Sequence, residues 1–190
     1  MSMLTKSLPD YVMVDDKKYK INTDFKVWLS IESIIFDSTL SIAKKMSKVI
    51  SLCYIELPPT LEDALCQIIK FFMHSDEIKD VSESNISGGK RSFSFEQDAP
   101  YIYCAFLKDY GIDLLKCDMH WWVFLDLFKG LGSDNRIMEI IKYRTMDLSK
   151  IKNKEERAFY LRQKKRYELP DTRCDEEKER DFELGLEMLF

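Results

Sequence analysis

The sequence is poor in the residues that form turns. Its 190 residues include six glycines and five prolines. All-β folds need many turns, and Gly and Pro mark turns most strongly, so this scarcity disfavours such a fold. No apolar run approaches the roughly 18 residues needed to span a bilayer. Residues 1–16 lack the apolar stretch of a secretory signal. We therefore expect a helix-rich protein without a membrane partner.

Cysteine is present but follows no pairing pattern. The five cysteines are scattered, odd in number, and indicate a reducing compartment; they are Cys53, Cys66, Cys104, Cys117 and Cys174. A zinc site needs about four nitrogen or sulfur ligands at fixed spacing. Cys117 and His120 form the only close Cys–His pair, and no second pair lies near it. We therefore expect no bound metal.

Charge is balanced overall. Hydrophobic residues make up 45% of the chain, charged residues 33%, and the formal net charge is −4. These values are ordinary for a soluble helical protein, and nothing in them requires nucleic acid or an anionic surface as a partner. The length indicates one domain, or one domain with a tail.

The hydrophobic periodicity predicts a mainly α fold. Tyr11–Val14 and Tyr19–Ile21 flank the polar run Asp15–Lys18, which is typical of a hairpin. An isolated hairpin is marginal, so it must pack on helices. We predict a single-domain, bundle-like helical fold with a small N-terminal β-hairpin.

Capping residues, together with glycine and proline, predict where the helices begin and end. The predicted features are an N-cap at Thr23, a second helix capped by Asp37 or Ser38, a third after Thr60, a helix over 95–110 with Pro100 in its first turn and Gly111 after its end, a helix ending near Gly130, one capped by Ser133 or Asp134, and a last helix over about 154–168 stopped by Pro170.

The chain divides into a helical domain over residues 1–170 and a tail over 171–190. Within the domain, residues 75–94 are polar and contain a Gly-Gly pair, which indicates a flexible loop. A boundary between two halves of the chain is the alternative. The tail is acidic and partly amphipathic.

Two adjacent tryptophans mark the most informative helix. Because successive helical residues are about 100° apart, Trp121 and Trp122 cannot face the same way. One apolar stripe, together with Trp28 from the first helix, supplies the predicted core residues, which are Trp28, Trp121, Phe124, Leu125 and Phe128. Trp122 shares its side with Asp126 and Lys129, so we predict that it lies at an interface. The alternative is that both tryptophans pack inside.

Two further segments are candidate contact surfaces. The tail closes on apolar residues at helical spacing, and the candidate interface anchors are Trp122, Phe182, Leu186, Leu189 and Phe190. A tail packed on its own domain is the alternative. The last helix carries a basic patch of Arg162, Lys164, Lys165 and Arg166. We interpret this patch as a solvated face or a surface for an acidic protein partner; nucleic acid is a less favoured alternative because the chain lacks an overall basic balance.

No catalytic pattern is present. The chain has no Gly-x-Ser-x-Gly element, no dinucleotide fingerprint and no full phosphate-binding loop. Its carboxylates fall at helix caps and on polar faces. We therefore expect no catalytic residues, no cofactor and no enzymatic activity.

Five short motifs in a fixed order carry a resemblance to a known family. They are Asn22–Phe25 after the hairpin, Phe95–Ala99 before a helix, Tyr110–Leu114, His120–Phe124 and Arg166–Pro170. Over roughly residues 5–170 the chain resembles the phage gene-fifteen product family, which is encoded beside the tape-measure gene in long-tailed phages and prophages of Gram-positive bacteria. The acidic tail and the Gly-Ser stretch near Ser87 depart from that pattern.

The resemblance implies a role in tail assembly. Its gene position suggests a non-enzymatic chaperone that binds the tape-measure protein in the host cytoplasm and that also meets the tail-tube protein or a second chaperone. A structural subunit of the tail or head–tail junction is one alternative, and a nucleic-acid-binding accessory protein is another. Gene position is an association, not a mechanism.

Overall fold

A computed structural model describes residues 7–74, 86–87 and 90–170. The protein is mainly α-helical, with a two-stranded N-terminal hairpin, as predicted. The elements in chain order are β1 (Tyr11–Val14), β2 (Lys17–Lys20), α1 (Phe25–Phe36), α2 (Ile42–Cys53), α3 (Leu61–Met73), β3 (Ile86–Ser87), β4 (Lys90–Arg91), α4 (Ala99–Tyr110), α5 (Trp121–Lys129), α6 (Arg136–Thr145), a 3-10 turn (Leu148–Lys150) and α7 (Lys154–Arg166).

The hairpin turns on two aspartates. β1 and β2 are antiparallel, and Tyr11 pairs with Lys20. Asp15 and Asp16 have φ of 48° and 59°, which is the left-handed backbone that a two-residue hairpin loop requires and that Asp tolerates. The alternate residues Val12 and Val14 are buried, so one face of the hairpin belongs to the core. The predicted hairpin is confirmed.

Two predicted helix starts were wrong: another side chain caps the first helix, and the second helix begins later along the chain. Asp24, not Thr23, caps α1, and its carboxylate accepts a hydrogen bond from Lys26 N at 2.9 Å. α2 begins at Ile42 after Ser41. Asp37 instead closes α1, because its own N–H donates to Ile34 O and its carboxylate accepts from Thr39. Ser38 is exposed beside it and caps no helix.

The second half of the fold shows the same pattern of correct helices with shifted starts. α4 begins at Ala99 rather than at Phe95, with Pro100 in its first turn as predicted. Gly111 follows its end with φ of 67°, a backbone that favours glycine. α6 is capped by Asn135, not by Ser133 or Asp134.

The core is an aromatic stack. Trp28, Trp121, Phe124 and Phe128 are buried, whereas Leu125 is only partly buried and packs against the core from its edge. The Phe124 ring lies between those of Phe25 and Phe106, with centroids 5.1 Å and 5.2 Å away. Such offset contacts add about 0.5–1.5 kcal/mol each to the stabilisation from buried area.

A buried ion pair ties the C-terminal half together. The Arg144 guanidinium on α6 donates two hydrogen bonds to the Asp98 carboxylate, at 2.6 and 2.9 Å. It also donates to Tyr167 O at 2.5 Å and to Ser92 O at 3.2 Å. Asp98 in turn accepts from Ser94 N. One arginine thus joins α6, the start of α4, the segment after β4 and the end of α7.

The predicted loop over 75–94 falls only partly within the described residues. Its last residues pack into the fold: Ser94 is buried, and the Phe93 ring contacts those of Phe95 and Phe128, each with centroids 5.0 Å apart. The tail over 171–190 lies outside the described residues. None of the described helices combines the length and the apolar character that crossing a bilayer requires.

Candidate protein interface

The helix α5 begins on a histidine. His120 Nδ1 accepts a hydrogen bond from Trp122 N at 3.1 Å, while Nε2 lies 3.0 Å from Pro9 O. Because an imidazole nitrogen must be unprotonated to accept, this arrangement fixes the neutral tautomer with the proton on Nε2. Burial lowers the pKa of His120, and the Pro9 carbonyl opposes that shift. His120 therefore acts as a neutral helix cap.

The two tryptophans of α5 bond to the end of α3. Trp121 Nε1 donates to Phe72 O and Trp122 Nε1 donates to Phe71 O, both at 2.8 Å. The last carbonyls of a helix are incompletely bonded within it, and these two indoles supply donors from outside; His74 N also donates to Phe71 O, at 3.1 Å. Trp121 is fully buried and stacks on Trp28, with centroids 6.1 Å apart.

Trp122 is half-buried and stays within the fold. Its ring stacks on His74 at 4.2 Å and on Phe71 at 5.1 Å between centroids. His74 lies 3.4 Å from Asp126, and although that carboxylate favours the charged form, burial lowers the pKa of His74. The role of Trp122 in binding a partner stays a prediction. Its indole edge is already engaged by α3, so any partner would meet only the exposed part of the ring.

The other predicted contact residues lie on or beyond α7. Phe182, Leu186, Leu189 and Phe190 fall outside the described residues. In the basic patch, Lys164 Nζ donates to Met146 O at 3.0 Å, which stabilises the packing of α7 on the segment after α6. Arg162, Lys165 and Arg166 are exposed. No α7 residue is buried, so this helix offers most of its surface to solvent.

Sequence reasoning did not find an apolar groove beside α1. It has a volume of about 540 Å³ and opens between α1, the start of α4 and the loop that follows Gly111. Its lining comprises Phe25, Lys26, Leu29, Phe95, Ala99, Pro100, Ile102, Tyr103, Leu114, Leu115 and Phe124. The volume is in the range of natural ligand-binding clefts.

The groove has an aromatic floor and a charged rim. Phe25, Phe95 and Phe124 are buried beneath it, while Leu115 at its edge is 77% exposed. Lys26 lies on the rim, 3.8 Å from Asp118, whose side chain is almost fully exposed. The groove therefore presents apolar surface with one weakly paired cation beside it.

Hydrogen bonds hold the loop wall of the groove in place. Asp113 Oδ1 accepts from Tyr103 Oη at 3.3 Å and from Leu115 N at 3.1 Å, and Lys116 lies 3.0 Å from its second oxygen. The hydrogen bond from Lys116 is the main reason that the pKa of Asp113 is lowered. The wall that carries Leu115 is thus fixed to α4, and the groove is preformed.

A smaller polar cavity adjoins the groove along α1. It has a volume of about 320 Å³ and is lined by Glu32, Ser33, Phe36, Asp37, Ser38, Arg91, Ser94, Glu96, Gln97 and Pro170. Burial raises the pKa of Glu32, although Arg91 opposes the shift from 3.5 Å away. The Arg91 guanidinium also lies over the Phe36 ring, 4.0 Å from its centroid. Ser33 Oγ donates to Glu96 Oε2 at 2.7 Å.

Neither recess gathers metal ligands. Within residues 7–74, 86–87 and 90–170, no three His, Cys, Asp or Glu side chains are placed to hold a metal ion. The described cysteines are free thiols. Cys53 is fully buried, and burial raises its pKa to about 12. That thiol is therefore protonated near neutral pH and packs as a small apolar side chain.

Comparison with known proteins gives one match. The family model described as Bacteriophage Gp15 protein matches residues 4–169. No curated protein and no solved structure matches the chain. The matched range covers the apolar groove, α5, the whole of α7 and every residue of the polar cavity except Pro170. The chain therefore belongs to the bacteriophage Gp15 protein family.

Proposed function

We propose that the protein is a tail assembly factor of a phage, and that it acts without catalysis as a chaperone of the tape-measure protein in the host cytoplasm. The family match supports a phage-related role. The observation that carries the finer proposal is the preformed apolar groove, with Leu115 exposed at its edge.

The groove suits an amphipathic helix. In helix-in-groove recognition, apolar residues at i, i+3, i+4 and i+7 enter an apolar recess. Lys26 on the rim favours a carboxylate beside that stripe. A tape-measure chain is expected to be long and helix-forming, with apolar stripes that would otherwise aggregate. Many copies of this protein along it would cover those stripes with contacts that are weak singly and strong together.

Weak single contacts also suit a temporary partner. A chaperone must later give way to the tail-tube protein, which assembles around the same chain. A groove of about 540 Å³ holds a few side chains, so each copy would contact only a short stretch of the tape-measure chain. The tail-tube protein or a second chaperone would then compete for sites on the tape-measure chain.

Co-expression with the tape-measure protein tests the proposal. The wild-type protein should raise the soluble fraction of that chain and co-purify with it. Leu115→Asp should abolish both effects, because it places a carboxylate at the edge of the apolar groove. Leu161→Asp is the matched control, since Leu161 is an exposed leucine on α7 at 56% exposure. An unchanged soluble fraction without a complex, or equal loss in both variants, would contradict the proposal.

A second candidate function follows from the exposed basic side of α7. Arg162, Lys165 and Arg166 could contact phosphates. Nucleic-acid binding through this helix would weaken steeply with salt, and neutralising these three residues would abolish it.

Mass spectrometry of purified virions tests a third role, that of a structural subunit. A structural subunit is present in fixed copy number, whereas a chaperone is absent.

A further inference from the structure

The described chain ends at the polar cavity. Pro170 lines the polar cavity together with Ser33 and Glu96. Leu29 lies one helical turn before Ser33 on α1, and it already belongs to the groove. The two recesses therefore share one stripe of α1, and the tail leaves the domain at one end of it.

The tail is long enough to follow this stripe. From Lys26 in the groove to Phe36 in the cavity, α1 rises about 15 Å. Phe182 is the twelfth residue after Pro170; twelve residue steps span about 18 Å as a helix and about 40 Å when extended. In either form, Phe182 and the residues after it reach the groove.

The tail has the chemistry that the groove accepts. Phe182, Leu186 and Leu189 stand at i, i+4 and i+7, which places them on one side of a helix. Glu183 and Glu187 each follow a member of this triplet, so carboxylates flank the apolar stripe. Opposite them, the groove offers the Lys26 ammonium on its rim.

Charge also favours the groove over the nearer cavity. Residues 171–190 contain eight acidic and three basic side chains. Asp37 and Glu96 lie on the wall of the polar cavity beside Pro170; Arg91 also lines it but is paired with Glu32, so the wall repels such a segment. Lys26 and the exposed Lys116 lie around Leu115 and are paired with Asp118 and Asp113, so the charges at the groove balance. Electrostatic repulsion of the acidic tail is therefore weaker at the groove than at the cavity.

We propose that residues 182–190 occupy the apolar groove of the same molecule and must leave before a partner can enter. The tether makes this contact intramolecular, so a short segment competes at a high effective concentration. Its regulatory consequence rests on the proposed function, because it assumes that the partner uses the same groove. Occupation of the groove by the tail does not depend on that assumption.

Methyl NMR of the full chain tests the occupancy. Leu186→Asp should shift the methyl signals of Leu29, Ile102 and Leu115, because a carboxylate in the triplet releases the tail. Met188→Asp is the control: it adds the same charge to the same segment at a position off the face of the triplet. Signals that match the wild type in both variants would overturn the proposal. So would signals that depend on protein concentration, since a second copy would then fill the groove.

The regulatory consequence has its own measurement. If the tail covers the groove in about nine-tenths of molecules, releasing it should tighten binding of the tape-measure chain about tenfold. Leu186→Asp should show that gain and Met188→Asp should not. Loss of the complex in Leu186→Asp would overturn the proposal, because the tail would then bind the partner directly. Absence of a complex in every variant would refute the proposed function. The NMR experiment would still test whether the tail occupies the groove, because it does not use the partner.

Discussion

Removal of the Asp98 carboxylate should destabilise the protein far more than removal of a surface charge. The side chains of Arg144 and Asp98 are 8% and 2% exposed. In Asp98→Ala, the guanidinium stays buried against the carbonyls of Ser92 and Tyr167 without a counter-charge. Breaking a buried pair from one side costs about 3–5 kcal/mol. With a urea m-value of about 2 kcal/mol/M, the unfolding midpoint should fall by about 1.5–2.5 M.

A matched surface pair supplies the control. Lys108 and Asp134 form an ion pair whose side chains are 53% and 75% exposed. Asp134→Ala should therefore leave the unfolding midpoint almost unchanged. Unfolding followed by tryptophan fluorescence and by circular dichroism measures both variants. Equal midpoint shifts for Asp98→Ala and Asp134→Ala would refute the reasoning from burial.

A double variant separates the pair from its surroundings. Asp98→Ala combined with Arg144→Met removes both charges, so no unpaired charge is left in the core. Its cost should be smaller than the sum of the two single costs by about 0.5–3 kcal/mol, the range of coupling between residues in contact. Additive costs would mean that the two side chains stabilise the fold independently.

Three further perturbations test other parts of the structure. Trp121→Ala should cost about 3–5 kcal/mol in urea unfolding because the ring is fully buried; Trp122→Ala should cost less because its ring is half-buried, and equal costs would contradict the assigned helix faces. Gly111→Ala should cost about 1–2 kcal/mol from backbone strain alone, since no atom lies within 4 Å of the added Cβ; an unchanged midpoint would exclude the left-handed backbone there. Burial lowers the pKa of His120 in the folded state. The contribution of neutral His120 to the free energy of unfolding is therefore fully present above the unfolded pKa of about 6.5, and it is lost as the pH falls through the folded pKa. His120→Asn keeps an N-cap acceptor that does not titrate, so the wild type should lose more stability than this variant between about pH 7.5 and pH 5; parallel losses would contradict the cap.

Local spacing was enough to predict the elements that depend on neighbours in the sequence. The stripe of α5, the proline in the first turn of α4 and the glycine after it all follow from contacts within one or two turns. Helix starts were less predictable because several side chains compete for the same cap. Asn135 takes the cap of α6 while its amide donates to Asp109, which is 26 residues away, and no local pattern encodes such a contact.

The groove and the buried ion pair could not be predicted for the same physical reason. The groove assembles from α1, the start of α4 and the loop after Gly111, which lie far apart in the sequence, so no local pattern indicates it. Arg144 and Asp98 are 46 residues apart. The signal available in the sequence was the pair Leu114 and Leu115, two apolar residues inside the otherwise mixed stretch Asp113–Asp118. A large apolar side chain in a loop either packs against the rest of the fold or stays exposed, where it can bind a partner.

The two indoles that bond to the end of α3 make that helix terminus independent of the chain after His74. Phe71 O and Phe72 O receive hydrogen bonds from Trp122 and Trp121, and His74 N also donates to Phe71 O, so α5 and the cap residue together complete the helix terminus. A longer connection after His74 should therefore leave these hydrogen bonds intact. The same junction is a permissive place to insert an epitope or a fluorescent reporter.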